Sequence, residues 1–383
     1  DNNDDIRLRF DNASVFKAGL QVATTAGDMI AGSAVNDFCI RTQENMLFST
    51  GGNVEKMRIK SSGSIYPVNA IQGTYYGQDA GNPASVTGVG NTSIGYAAAQ
   101  ALTSGYQNTS VGRSAGQSLT IGLNNVSIGT NAGYNNVDGA QNTYVGTAAG
   151  YASPGQNYNT FVGYEAGHLN AANENTAVGR LALTANTTGT WNTAIGANAL
   201  TGLQTGSYNV VVGHQAFQAL VTTSHNTGLG YRAGYYFTAG HENTCIGYNS
   251  GFSSAAASTG GENTFVGSQV AASTSGITGD ANTAVGQYNL YSLTSGSYNT
   301  AIGHNANHQN TTGSHNVAIG KDALLAAYGS FNVGIGNYVL DALTSGTLNA
   351  GGGYASMSNA VLGSRNTGWG AYTLTDCTES YNT

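Results

Sequence analysis

Proline and charge are what this sequence has least of. It holds three prolines in 383 residues and a charged fraction of 8%, against roughly 25% in ordinary soluble domains. Disordered chains are rich in charge or in proline, so disorder is excluded as the dominant state. Basic residues form no cluster beyond Lys56, Arg58 and Lys60. Nucleic-acid binding, which needs a basic stripe to neutralise phosphates, is therefore not expected. No apolar run approaches the ~20 residues of a membrane-spanning helix, so direct membrane insertion is not expected either. Cysteine is equally sparse. Cys39, Cys245 and Cys377 lie far apart and are odd in number, so they make no zinc or redox spacing and read as buried, inert thiols.

What is abundant is glycine, with 56 residues, alongside asparagine, threonine, alanine and 23 tyrosines. These residues suit stacked strands and tight turns. They are organised by one recurring pentapeptide, Asn-Thr-x-Val/Ile-Gly. Its asparagines are Asn91, Asn108, Asn125, Asn142, Asn159, Asn175, Asn192, Asn209, Asn226 and Asn243, continuing through Asn263, Asn282, Asn299, Asn316, Asn332, Asn349 and Asn366. The mean period is about 17 residues, and repetition at such a period is the signature of a solenoid. The fifth position is glycine in all 17 complete copies, beginning Gly95, Gly112, Gly129, Gly146 and Gly163. It must answer a backbone requirement rather than a packing preference.

The second position is Thr in 12 copies and the fourth is aliphatic in 15. Side chains alternate along a strand, so these two positions share a face, and the aliphatic content predicts that this face is the core. The third position, which runs from Ser93 and Ala177 to Tyr144 and Phe161, is then expected to face solvent or another chain. After the glycine, pairs such as Leu200 and Leu203 allow one helical turn. Each repeat thus reads as a strand, a tight turn, a short helical or bent segment and a glycine-rich return. Stacking places like residues in files, and the asparagines are expected to form a side-chain ladder. A single coil buries too little to stand alone, so stability must be cooperative along the array. The thin core favours lateral association into a homotrimer.

The expected fold class is all-β, a parallel β-solenoid or β-roll of about 17 coils spanning 91–383. Residues 1–66 hold 7 of the 12 basic and 8 of the 19 acidic residues. Their short alternating runs, from Ile6 to Phe10 and from Phe16 to Val22 among others, predict a small antiparallel β-domain. Residues 67–90, with Pro67 and Pro83, read as a connector. Asn382-Thr383 opens a further motif, so the sequence is expected to be a piece of a longer chain.

The motif Asn-Thr-x-Val/Ile-Gly-x-x-Ala resembles the head repeats of trimeric autotransporter adhesins of the YadA type, which form left-handed parallel β-rolls in trimers. The likeness covers about 290 of the 383 residues, although those adhesin repeats are shorter than the 17 residues found here. The stretch Glu55-Lys56-Met57-Arg58-Ile59-Lys60-Ser61-Ser62-Gly63-Ser64-Ile65 looks like segments common in phage tail-fibre proteins, which are also trimeric. The resemblance implies a structural fibre of a virion tail or a cell surface that contributes to host attachment. Its partners would be further copies of itself, other virion tail proteins, and a glycan or protein receptor on the host cell. A bacterial trimeric surface adhesin is the alternative.

Catalytic chemistry finds little footing. No Gly-x-Ser-x-Gly elbow is present, and the seven histidines form no metal-binding spacing. No enzyme activity, metal or cofactor is expected. Glu174, Glu242 and Glu262 share the slot before the asparagine, which leaves a glycan-degrading spike as a minor alternative. Ice binding by the regular threonines is another, disfavoured by the expected inward orientation of Thr. Tyrosine is the most suggestive binding residue. Tyr158, Tyr208 and Tyr298 precede the asparagine and are candidates for stacking on sugar faces; a ladder of stacked rings is the competing reading.

Overall fold

A computed structural model describes residues 7–12, 15–22, 38–42, 46–49, 55–59, 65–67, 73–81, 86–254, 257–361, 363–376 and 379–383. The chain forms two compact units, Asp1–Thr74 and Tyr75–Thr383. In the first, Arg7–Asn12, Val15–Val22 and Phe38–Thr42 pair antiparallel in that order. Met46–Ser49, Glu55–Ile59 and Ile65–Pro67 form a second antiparallel set.

The second unit is a parallel β-solenoid of about 17 coils, with no α-helix among the described residues. Each coil contributes one short strand, and the strands pair in chain order. Thr193–Ile195, for example, lies on Thr176–Val178 with Thr on Thr, Ala on Ala and Ile on Val. The asparagine spacing lengthens to 20 residues between Asn243 and Asn263. Even there Thr244 faces Thr264, so the additional residues are absorbed in the return and the files stay intact. The solenoid also reaches back beyond Asn91. Thr74–Tyr76, inside the stretch expected as a connector, is a strand, and Gly95 donates its N–H to the Tyr76 carbonyl at 2.8 Å.

The segment after the strand is bent rather than helical. The Ala199 N–H donates to the Gly196 carbonyl, and the Leu203 N–H to the Leu200 carbonyl. Asn198 and Leu200 have φ of 58° and 49°. Left-handed residues at alternate places break the succession of right-handed dihedrals that a helix needs. Their cost is offset by a continued ladder between coils. The Asn198 N–H reaches the Arg180 carbonyl and the Leu200 N–H the Ala216 carbonyl, at 2.9 and 3.2 Å. The turns therefore carry the stacking as the strands do.

Alternation holds in the strands, but the assignment of faces is reversed. From Asn91 on, the third position is buried in every coil and the second and fourth face outward, as in Thr193–Ile195, whose pattern is intermediate, buried, exposed. Tyr144, Phe161 and Phe265, expected at the surface, have no exposed area. The physical reason is the narrowness of the coil. Its lumen admits one strand side chain, facing the Ala and Leu of the bent segment, and a file of β-branched residues two abreast would overfill it.

In several coils volume is instead balanced between the third position and the residue six further on. Ala177 and Ala194 sit with Leu183 and Leu200, all fully buried. Tyr144 and Phe161 sit with Gly150 and Gly167, where a Cβ would come within 2.5 Å of the ring. Where both places are glycine, at Gly228 and Gly234, Phe217 from the preceding coil fills the space.

Candidate functional site

Three surfaces or files run along the solenoid. The first is internal. Every asparagine from Asn108 to Asn382 donates its backbone N–H to the side-chain oxygen of the asparagine one coil earlier. The amide nitrogen reaches across to the return, as in Asn192 Nδ2 to the Gly206 carbonyl at 2.8 Å. Asn192 Oδ1 also accepts from the backbone N–H and Nδ2 of Asn209, each at 3.0 Å. The side chain is fully buried and needs a donor and an acceptor on one planar group. An aspartate would place an unpaired charge there.

The glycines of the fifth position form the neighbouring file. Gly95, Gly112, Gly129, Gly146 and Gly163 have φ between 127° and 136°, a region closed to side chains. A Cβ on Gly95 would lie 2.6 Å from the Gly112 carbonyl oxygen. Backbone stacks on backbone at this corner, and no other residue fits.

The second surface is the outward face of the strands. Ile94, Ile128, Ile195, Ile302 and Ile335 are 38 to 40% exposed, flanked at the second position by Thr92, Val126, Thr193, Thr300 and Val333, and Trp369 continues the row with 60% exposed. An apolar row of this length on a parallel sheet is unusual for a surface that meets only water. Sequence reasoning missed it by placing these residues inside. The inverse pairing of sizes, Ala177 with Leu183 but Phe161 with Gly167, was the available signal that the third position is internal.

The third surface is aromatic. In the slot before the asparagine, Trp191, Tyr208 and His225 stack face to face at 4.9 and 5.2 Å. Tyr298, His315 and Phe331 do the same at 4.9 and 4.8 Å. These separations match the spacing of neighbouring strands. Tyr208 is covered on both faces and keeps only its edge. Tyr298 has a ring partner on one side, and Tyr158, 57% exposed, has none among the described residues.

Other histidines stack on aromatic rings elsewhere along the solenoid. His168 lies on Tyr151 and His308 on Tyr291. Among the described residues no three His, Cys, Asp or Glu side chains come together around a common point. Glu174 stands coils away from Glu242, whereas Glu242 and Glu262 occupy consecutive coils, with the Glu262 N–H on the His241 carbonyl. Cys245 is a free, fully buried thiol whose pKa burial drives well above its ordinary value. Comparison with protein-family models, with curated proteins and with solved structures gives no match.

Proposed function

We propose that this chain is the shaft of a fibre, most closely a phage tail fibre or comparable virion appendage. It works without catalysis and joins in attachment to the host cell from the virion tail or another extracellular surface. It assembles as a homotrimer, in which residues 1–66 form a small antiparallel β-domain. The observation that carries the reading is the outward Thr-x-Val/Ile face. Its aliphatic rungs recur in 15 of the 17 copies, so the partner that can match them over their whole length is another solenoid of the same rise. Packing three such faces about an axis removes the row from water and supplies the thickness a single coil lacks. Exposed rings at Tyr158 and Tyr298, with the Tyr208 edge, give a receptor glycan places to stack.

Light scattering on the full chain tests the assembly. A mass three times the 39.0 kDa of one chain is expected, falling to one chain in an Ile195→Asp/Ile302→Asp variant that keeps its β-structure. A monodisperse monomer for the unaltered protein sinks the trimer. A bacterial surface adhesin makes the same prediction, and is separated from the phage reading by whether the full-length protein carries an outer-membrane β-barrel anchor or a tail attachment region.

One observation favours a second reading. Threonines in a regular file now stand outward beside the aliphatic row, which removes the ground for setting ice binding aside. The two readings compete for one face, because a face buried between chains cannot meet ice. Thermal hysteresis in a monomeric preparation would favour the ice-binding reading, and a stable trimer without hysteresis the fibre.

A further inference from the structure

The largest departure from the repeat lies beside a cluster of aromatic side chains. The coil after Asn243 is lengthened, and the coil before it carries glycine at both interior places, Gly228 and Gly234, followed by the half-buried Tyr235 and Tyr236. In the turns that follow the strands, Tyr231 stacks on Tyr248 with centroids 5.6 Å apart, and Tyr235 on Phe252 at 5.8 Å. Arg232 lies among them. Its guanidinium carbon is 5.0 Å from the Tyr231 ring centre and 5.3 Å from that of Tyr235, and Nε donates to Gln215 Oε1 at 2.9 Å.

Two rings and one hydrogen bond thus hold the cation in place. Among the described residues the Nη groups have no hydrogen-bond partner and no carboxylate lies within ion-pair distance of Arg232. An unpaired, pre-positioned arginine is unexpected in a chain whose net charge is −7. Guanidinium groups take carboxylates through two parallel hydrogen bonds. Tyr231 is covered on both faces, by His214 and Tyr248, so the face for pyranose C–H groups is the outer one of Tyr248, 52% exposed and without a further ring partner among the described residues, while the tyrosine hydroxyls meet sugar oxygens. Rings repeated at each coil suit a chain of sugars better than a single small anion.

We infer that the surface around Arg232, Tyr231, Tyr235, Tyr248, Phe252 and Gln215 binds an acidic glycan, with Arg232 receiving the carboxylate of a uronic or sialic acid. Its biological use rests on the attachment reading above, but binding itself does not depend on assembly.

Saturation-transfer NMR on the full chain, with a hexasaccharide of alternating glucuronic acid and N-acetylglucosamine as probe, tests it. The native protein should bind the probe. Arg232→Gln should weaken binding by roughly tenfold, the loss expected for a charge-assisted hydrogen-bond pair. The carboxyl-reduced hexasaccharide should lose the same factor, Tyr235→Ala should also weaken binding, and Arg365→Gln should leave it unchanged. Three results overturn the inference: no binding to the native chain, equal binding of the carboxyl-reduced sugar, or equal binding of a hexaglutamate peptide, which would mark a general anion site. Light scattering on each variant keeps the two proposals apart. A change in mass counts against the shaft, and a change in sugar binding at constant mass bears on this site alone.

Discussion

The corner of each coil and its interior obey different rules. At the corner the identity of the residue is held: asparagine at the first position and glycine at the fifth, because one must donate and accept in a buried file and the other must take φ near 130° against the next backbone. In the interior it is the sum that is held. Phe161 with Gly167 and Ala194 with Leu200 fill equivalent spaces. Directional constraints admit one solution, whereas packing constraints admit several of equal volume.

Substitutions can break this contrast. The largest effect is expected from Asn192→Asp, which buries a charge beside the Gly206 carbonyl. About 4 kcal/mol should be lost at neutral pH by thermal or denaturant unfolding. Burial raises the carboxyl pKa, so part of that loss should return as acidification restores a donor. Next comes Gly196→Ala, which meets the Gly213 carbonyl oxygen at 2.6 Å with φ of 127°; about 3 kcal/mol is expected from strain and contact together.

Phe161→Ala should cost about 3 kcal/mol on its own. Unlike the corner variants it should be rescued in part by Gly167→Leu, with a coupling of about 1 kcal/mol in a double-mutant cycle. Strict additivity would refute the volume rule. The smallest effect is a gain. Asn307 occupies the place of Leu290 and Leu324 in neighbouring coils, is fully buried, and has neither amide atom partnered among the described residues. Asn307→Leu should stabilise the protein by about 2 kcal/mol, and a loss would show that this asparagine has a partner of its own.

The stacking of Asn192 on Asn175 and of Gly196 on Gly179 was legible, because a period of about 17 with a fixed residue leaves few alternatives to a solenoid. The alternation of Thr193, Ala194 and Ile195 was legible too. Which side of the strand is internal was not, since the rule that aliphatics go inside assumes a core wide enough to take them. Here the narrow lumen takes Ala194, and Ile195 is left outside, where a partner chain is proposed to cover it. The aromatic surface around Arg232 was also hidden. It depends on residues at different places in successive coils, Gln215, Tyr231 and Tyr248, whose adjacency follows only once the turns as well as the strands are stacked.

The bonds that join one coil to the next, from strands, turns and asparagines alike, all point along the stacking direction. A pull along that direction loads every bond of a junction in parallel and all junctions in series. Such an object is stiff until one junction yields, and then lengthens in discrete steps. Each released coil adds about 55 Å of contour at ~3.3 Å per residue, so a single-molecule force trace should show a regular sawtooth with that spacing.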